Sequence, residues 1–398
     1  MSYQAGQPVL WPVPADWADG VRETLEWLSD VLPARNRKTQ KRQLRQVPRR
    51  SFTFDIIADE QLARVADTLL NDRGSQSWLL PIWHDVQLLS AALPIDSPSV
   101  PCRTAGFDFV LGGQAVLWNG VNQWEVVGIV AIEDNELVLG DTTSSAWPAG
   151  TRLYPLRRGY LVEQPQETRW TDDKGTRSVQ FILDEPCAWP AVLPVTTYRG
   201  YPVLEERPDW GEDLGMAFAR SVESVDVGTG PITRIDWPGR AFREAQVTWI
   251  ASGREHNTAL RSLLYALRGR MQTIWLPTWN TDLVLIASIG ATATSMTVQW
   301  CGYTLYGRAQ SNWRDIRIEL WSGVVFYRRI TGAVQAGANE VLQLDAALGI
   351  AVTPSQVRTI SFLVLSEQAT DAVELVHVTD ADGITSVSTK FQGVRNDV

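Results

Sequence analysis

The chain contains 398 residues and carries a formal net charge of −9 at pH 7, with a pI near 5.0. Its 44% hydrophobic and 20% charged residues are typical of packed proteins and exclude wholesale disorder. The acidic balance argues against general affinity for nucleic acid, because phosphate binding needs clustered basic charge in a favourable overall field.

The first elements predicted along the chain are a Trp- and Pro-rich entry, a hairpin, and a short strand that leads into a helix. Phe52, Phe54 and Ile56 alternate with other residues in the pattern of a half-buried strand. From about residue 59 to 72, apolar residues recur at helical spacing, and Gly74 supplies a stop. This pattern predicts an amphipathic helix with one solvent-exposed face.

A proline-containing strand and a β-rich stretch complete the first two hundred residues. The sequence QSWLLPIW suits an edge strand, since proline cannot donate a backbone hydrogen bond. Short alternating runs such as WEVVGIVAI, NELVLGD and RLYPL follow, separated by turn signals at Ala149-Gly150 and Asp173-Lys174-Gly175. They predict a small β-barrel or sandwich.

The second half of the chain repeats this order. Trp249 matches Phe54 at a spacing of 195, and the run TDADGITSV from Thr379 matches TDDKGTRSV from Thr171 at a spacing of 208. Several collinear matches with slowly changing spacings are hard to obtain without duplication. The sequence therefore predicts two tandem copies of one module.

The second helix is predicted to start at Ser252, because Glu255 stands three residues later at the spacing of a capping box. Leucines at helical spacing follow, and Gly269 supplies the stop. This helix, like the first, is expected to have one exposed face. The predicted fold class is mainly β with a few helices (α+β), with domains at residues 1–95, 96–200, 201–288 and 289–398.

Targeting and cysteine patterns indicate a soluble protein that folds in a reducing cytoplasm. There is no basic-then-apolar leader and no uninterrupted apolar stretch near about 18 residues, so neither a signal peptide nor a membrane span is predicted. Cys102, Cys187 and Cys301 are odd in number and far apart, which fits neither a disulfide framework nor a zinc site.

No recognised catalytic motif occurs in the sequence, and we predict no catalytic, metal-binding or cofactor-binding residue and no cofactor. His84, His256 and His377 are far apart in sequence, and a surface or structural role is favoured for each. Asp16 with Asp19 resembles the paired carboxylates of a glycosidase. Such pairs are far commoner as turn and cap residues, so a wall-degrading hydrolase is the weakest hypothesis.

The second copy carries a similar acidic group of Asp209, Glu212 and Asp213, which lies beside Trp210 as Asp16 lies beside Trp17. Four tryptophans recur at equivalent positions and are predicted to lie in the module core or at a domain joint: Trp17, Trp83, Trp210 and Trp279. The alternative is a carbohydrate-binding module, in which exposed indoles near Trp17 and Trp210 stack on sugars of a host surface.

One strongly basic run has no counterpart in the second copy. Its members are Arg35, Arg37, Lys38, Lys41, Arg42, Arg45, Arg49 and Arg50. A nucleic-acid site is conceivable, but no aromatic residues interleave with the charges. We therefore predict that Arg37 to Arg50 form an oligomer interface with complementary charge on an adjacent subunit.

The segment WLSDVLPARNRKTQKRQLRQVPRRSFTF, followed by a strand, a helix with a glycine stop and a Trp-containing strand, resembles the distal tail and upper baseplate hub proteins of siphovirus-type bacteriophages. The resemblance implies that residues 1–95 and 201–288 are ring-forming modules, each followed by a β-rich module. Three chains with two modules each would then form a closed pseudo-six-fold ring, which we favour over a hexamer.

The same resemblance implies a virion protein of the tail tip that assembles in the host cytoplasm and is not an enzyme. Its expected partners are other copies of itself, the tail tube protein, the tape-measure protein, the baseplate hub and the tail fibres. Double-stranded DNA would be passing cargo, and no membrane partner is expected.

Overall fold

The computed structural model describes residues 8–211, 215–308, 310–380 and 383–396. The chain is mainly β, with 46% strand and 10% helix in several antiparallel sheets, which confirms the predicted class. No sheet closes into a barrel among these residues. No helix in the described ranges is both long and apolar enough to span a membrane.

Residues up to 200 are called half 1, and its described part, residues 8–200, contains one long helix, α1 (Glu60–Arg73), and fifteen strands. The strands are β1 (Val9–Leu10), β2 (Val21–Glu26), β3 (Ser29–Pro33), β4 (Thr39–Gln43), β5 (Arg49–Asp59), β6 (Trp78–Pro81), β7 (Gln87–Leu88), β8 (Ser99–Pro101), β9 (Gln114–Gly120), β10 (Gln123–Glu133), β11 (Glu136–Leu139), β12 (Arg152–Leu161), β13 (Glu167–Arg169), β14 (Lys174–Leu183) and β15 (Thr197–Tyr198). A 3₁₀ turn covers Trp83–Asp85.

Residues from 201 onward, called half 2, contain α2 (Arg254–Leu267), a π turn at Tyr303–Gly307 and a 3₁₀ turn at Pro354–Gln356. The strands are β16 (Tyr201–Pro202), β17 (Met216–Ala219), β18 (Val222–Val225), β19 (Thr233–Asp236), β20 (Phe242–Ser252), β21 (Ile274–Pro277), β22 (Ser295–Gln299), β23 (Asp315–Leu320), β24 (Val325–Ala336), β25 (Asn339–Leu344), β26 (Val357–Gln368), β27 (Ala372–His377) and β28 (Ile384–Gly393).

A single antiparallel sheet runs through both halves in the order β17, β20, β28, β27, β2, β5, β14, β13. The halves join where β2 pairs with β27, from Val21 opposite His377 to Glu26 opposite Ala372. Gly20 permits this close approach, because it has a φ of +71° and a Cβ there would lie 2.5 Å from the carbonyl oxygen of His377. The sheet is therefore continuous across the junction of the two halves.

The two halves pair their central strands in the same register. In half 1, Ser51 of β5 lies opposite Ile182 of β14, and in half 2, Gln246 of β20 lies opposite Lys390 of β28. Ser51 and Gln246 are 195 residues apart, and Ile182 and Lys390 are 208 residues apart, which are the two spacings of the sequence repeat. A slip of one residue would turn every side chain to the wrong face, so a shared register is a strict correspondence.

The predicted boundary at residues 95 and 96 does not separate two independent modules. Strand β12 pairs with β6, and β14 pairs with β5, so the chain after residue 151 returns to the first sheet and its core. The boundary at 288 and 289 is crossed in the same way by β26 and β28. The β-rich parts are insertions with cores of their own, around Leu117 in half 1 and Ile318 in half 2.

The two helices differ in how much of them is covered. In α1, only Ala66 is buried, which fits an amphipathic surface helix. The expectation of an exposed face is wrong for the second half of α2, because every residue from Leu260 to Leu267 is buried, whereas Glu255 and Ala259 in the first half are exposed. Half 1 packs onto α2 and supplies this cover, whereas nothing equivalent covers α1 among the described residues.

The predicted capping box of the second helix is wrong. The N-cap of α2 is Gly253, with a φ of +86° and no side-chain cap. Ser252 cannot serve as the cap, because it is the last residue of β20 and pairs with Ile384 of β28. The strand therefore extends to the residue that the sequence pattern assigned to the helix terminus.

Candidate functional site: the buried charged cluster

A cluster of charged and imidazole side chains lies at the junction of the two halves. It is called the buried charged cluster, and its members are Glu23, Arg50, His84, Asp85, Asp108, Arg157, Arg254, Arg261 and His377. The β2–β27 pairing brings Glu23 and His377 together, and α2 contributes Arg254 and Arg261. Charged side chains are rarely buried unless they are paired, and here they come from both halves.

Glu23 is the centre of the cluster and is fully buried. One carboxylate oxygen, Oε1, accepts a 2.7 Å hydrogen bond from Arg50 Nε and a second one from Arg261. Burial alone would raise the pKa of Glu23, but the charges of Arg261 and Arg50 outweigh it and hold the pKa well below its ordinary value. Glu23 is therefore a carboxylate with two cationic partners, one from each half.

Asp108 extends the network within half 1. It pairs with Arg50 at 2.6 Å between Nη1 and Oδ2, and also with Arg157. Burial acts to raise the pKa of Asp108, but the two arginines lower it to below its usual range. The backbone N–H of Asp108 donates to Asp85, and Asp85 in turn binds Arg254 of α2.

His84 and His377 stack with ring centroids 3.6 Å apart and planes within 2° of parallel. His377 has partners on both nitrogens, because Nδ1 lies 3.0 Å from Thr385 Oγ1 and Nε2 lies 3.0 Å from Glu23 Oε2. Asn257 donates to the same Thr385 oxygen. The hydroxyl can then donate to Nδ1 of a neutral His377, which leaves Nε2–H to donate to Glu23.

His84 is the unsatisfied member of the pair, since neither ring nitrogen has a hydrogen-bond partner in the described part of the chain. Burial lowers the pKa of His84 well below its ordinary value, and the adjacent His377 acts in the same direction. Burial also lowers the pKa of His377, against the opposing effect of Glu23. Both imidazoles are therefore neutral at pH 7.

Glu23, His84 and His377 each offer a ligand atom within 4.8 Å of the others, and these residue types can bind zinc. The geometry does not suit a metal. A metal should lie in the plane of each ring that ligates it, and two stacked rings that are within 2° of parallel share no such point near both of them. Glu23 is also already bound to Arg50 and Arg261, whose charges would repel a cation.

An apolar cleft of about 620 Å³ lies beside the cluster, between the segment Val192 to Val195 and α2. Two charged side chains in its wall are already paired: Arg254 binds Asp85, and Glu206 lies 2.5 Å from His256. The cleft is therefore part of the junction between the halves rather than a site with reactive groups in position.

The four recurring tryptophans do not share one environment. Trp83 and Trp279 are buried, and Trp17 is partly buried against the core of half 1. Trp210 is 54% exposed, so it does not belong to a core of the single chain. The equivalence of the four positions in sequence does not extend to their burial.

The acidic groups beside these tryptophans take part in turns where the structure describes them. Asp16 Oδ1 accepts from the backbone N–H of Ala18, and Asp209 Oδ1 accepts from that of Gly211. Glu212 and Asp213 lie outside the described residues. The three cysteines are free thiols.

The basic run contacts both halves of the same chain. Lys41 pairs with Glu367, and the guanidinium of Arg37 lies 5.1 Å from the ring centroid of Phe242. Arg50 is buried in the charged cluster, so its predicted place at a surface between subunits is wrong. The remaining members of the predicted set do not form a separate patch: Arg45 and Arg49 pair with Glu26, and Lys38 and Arg42 are exposed on the hairpin.

The sequence does not reveal the buried charged cluster. Glu23, His84 and His377 are separated by tens to hundreds of residues, and only the β2–β27 pairing brings them together. One signal was present: His84 stands where the second copy has Asn280, so its imidazole is specific to half 1. No protein-family model and no curated protein matches this chain.

We predict that Glu23→Gln destabilises the protein by about 3–5 kcal/mol, because it leaves the buried charges of Arg50 and Arg261 without their partner. Glu26→Gln on the same strand is the matched control. The side chain of Glu26 is about half exposed, and its surface ion pairs are worth less than about 1 kcal/mol. Denaturant unfolding followed by circular dichroism measures both variants, and equal losses would contradict a central role for Glu23.

We also predict that the protein loses stability as the pH falls from about 7 to 5. The folded-state pKa values of His84 and His377 are lowered, so below the unfolded value of about 6.5 the unfolded chain binds more protons. Each histidine contributes a loss of up to ~1.4 kcal/mol per pH unit. The lowered pKa of Glu23 adds a further loss below about 4.5.

The variant His84→Asn tests this assignment, since it places the residue of the second copy at the same position. Between pH 6.5 and 5.5, the unfolding free energy of this variant should fall less steeply than that of the natural protein. The two losses should differ by about 1 kcal/mol. An unchanged slope would contradict the assignment to His84.

Proposed function

We propose that this protein is a structural, non-enzymatic component of a bacteriophage tail tip or baseplate. In this role it connects the tail tube to the hub or fibres and surrounds the DNA channel as a closed ring of three chains. The observation that carries the proposal is the continuous sheet, in which two halves of equal register join edge to edge through β2 and β27.

A sheet unit that joins to an equivalent unit along its edge is suited to building a ring. Each half contributes four strands to the common sheet, and the junction is head-to-tail because an edge of one kind meets an edge of the other kind. Head-to-tail contacts produce rings when the rotation closes and filaments when it does not. An internal duplication explains the shared register and gives six ring positions from three chains.

The remaining parts of the chain fit the same role. The two β-rich insertions have their own cores, around Leu117 and Ile318, and leave the shared sheet free. We propose that they hold the tube protein, the tape-measure protein, the hub or the fibres. The net charge of −9 favours passage of DNA over its retention.

The carbohydrate-binding alternative receives less support. It requires exposed indoles at both Trp17 and Trp210, and of these two residues only Trp210 is exposed. A single exposed indole is a weaker basis for recognition than the paired sites on which that hypothesis depends.

We predict that the purified protein has a solution mass of three chains of 44.4 kDa each. Light scattering over a range of protein concentrations measures this mass, and gel-shift titration with duplex DNA should show no stable complex. A particle of six chains would contradict the three-chain ring. Tight binding of DNA would contradict a channel through which DNA passes freely.

A further inference from the structure

We propose that the edge strand β17 of one chain pairs with residues 160–163 of a second copy, antiparallel and in the register of the β2–β27 junction. This inference rests on the proposed function and deepens it, because it specifies the surface through which chains join. It is drawn from the two ends of the common sheet, where β17 pairs only with β20 and β13 only with β14 among the described residues.

The strand registers show which residue of β17 replaces which residue of β2. Leu25 of β2 lies opposite Arg50, and Met216 of β17 lies opposite Ala245. Arg50 and Ala245 are equivalent at the spacing of 195. Met216 therefore occupies the place of Leu25, and two residues later Phe218 occupies the place of Trp27.

These equivalent residues differ sharply in exposure. Leu25 and Trp27 are 0% and 2% exposed, because β2 is covered by half 2, whereas Met216 and Phe218 are 42% and 65% exposed. Trp27 packs edge-on against Tyr265 of α2, with ring centroids 5.7 Å apart. Large apolar residues at positions that the other half buries indicate a surface that is covered in the assembly.

The opposite end of the sheet shows the matching open surface. Glu167 of β13 lies opposite Arg177, as His377 of β27 lies opposite Thr385, and Arg177 and Thr385 are equivalent at the spacing of 208. Glu167 therefore occupies the place of His377. Val162, five residues before Glu167, corresponds by count to Ala372, five residues before His377. It lies between β12 and β13, where its backbone N–H donates to the Gln180 carbonyl at 2.9 Å, and its side chain is exposed.

Helix α1 beside this edge is open in the same way. It is equivalent to α2, which half 1 covers from Leu260 to Leu267. Leu69 and Leu70 of α1 are only partly buried. In the proposed contact, α1 receives Met216 and Phe218 of the next chain, as α2 receives Leu25 and Trp27.

Charge supports the same partner. The β3–β4 hairpin carries five basic residues and one acidic residue, and its Lys41 meets Glu367 of half 2. The equivalent β18–β19 hairpin carries three acidic residues and one basic residue. Glu367 lies opposite Gln392, whose equivalent at the spacing of 208 is Asp184. Asp184 donates its backbone N–H to the carbonyl of Arg158, so Arg158 takes the place of Glu367, and its side chain also pairs with Asp184. At the junction within the chain a basic hairpin meets an acidic residue, and at the proposed contact between chains an acidic hairpin meets a basic residue. The charges are therefore complementary at both.

The test is a disulfide between chains that carry Ala217→Cys and Val162→Cys in a Cys301→Ser background, which removes the exposed native thiol. Glu26 and Ala372, the template for this pair, are directly opposite, and Trp27 N–H donates to the Asp371 carbonyl at 2.9 Å. Because the hydrogen bond joins the neighbouring residues Trp27 and Asp371, Glu26 and Ala372 form a non-hydrogen-bonded pair. The Cβ atoms of such a pair are close enough for a disulfide.

Oxidation with copper phenanthroline should link the chains, and the products on a denaturing gel should stop at three chains. The matched control pairs Ala219→Cys with Gln166→Cys, which is six residues out of register and should not link. A second measurement uses Phe218→Asp, which should reduce the particle to monomers in light scattering. Leu111→Asp, a comparably exposed apolar position in the β-rich insertion, should leave the mass unchanged.

The outcomes separate the interface from the function. Particles of three chains that neither cross-link at residues 217 and 162 nor dissociate with Phe218→Asp would overturn the proposed interface and leave the ring intact. Cross-linked ladders that continue beyond three chains would support the interface and overturn the closed ring. A monomer at all concentrations without cross-linking would overturn both.

Discussion

The structure depends on one buried contact, the carboxylate of Glu23 held between Arg50 of its own half and Arg261 of the other. A buried charge is costly unless its partners are in place, so the halves can pack only in the arrangement that supplies them. A buried apolar face already disfavours a one-residue slip of β2 against β27, because Leu25 would leave the core, and the charged cluster adds a second constraint on the register. The buried ion pairs of Glu23 thus select this arrangement of the halves, and the apolar side chains of Leu25 and Trp27 pack in the junction.

The cluster exists only at the junction inside the chain. Arg50 and Arg261 stand where the other half has Ala245 and Ala66, so the proposed contact between chains has no such network. A permanent joint can include buried ion pairs because it forms once during folding. A contact that forms during assembly is better made from apolar residues and complementary surface charge, which are the features of Met216, Phe218 and the acidic β18–β19 hairpin.

Much of the fold could be predicted from local patterns. The alternation around Phe54 and Trp249 and the helical spacing before Gly74 identify elements that the structure contains, and α1 lies within one residue of its predicted limits. Strands β12 and β14 return to the first sheet across the predicted boundary at residues 95 and 96, and no local pattern encodes such a return. The charged cluster was hidden for the same reason, since its members meet only through strand pairing.

A three-dimensional reconstruction of the assembled particle by electron cryomicroscopy would measure how its sheets are joined. The predicted particle contains six sheet units that alternate between junctions within a chain and junctions between chains, with the same rotation across both kinds. In it, β17 pairs with residues 160–163 of the next chain. A particle in which β17 faces solvent, or pairs with the β17 of a second chain across a two-fold axis, would contradict the account.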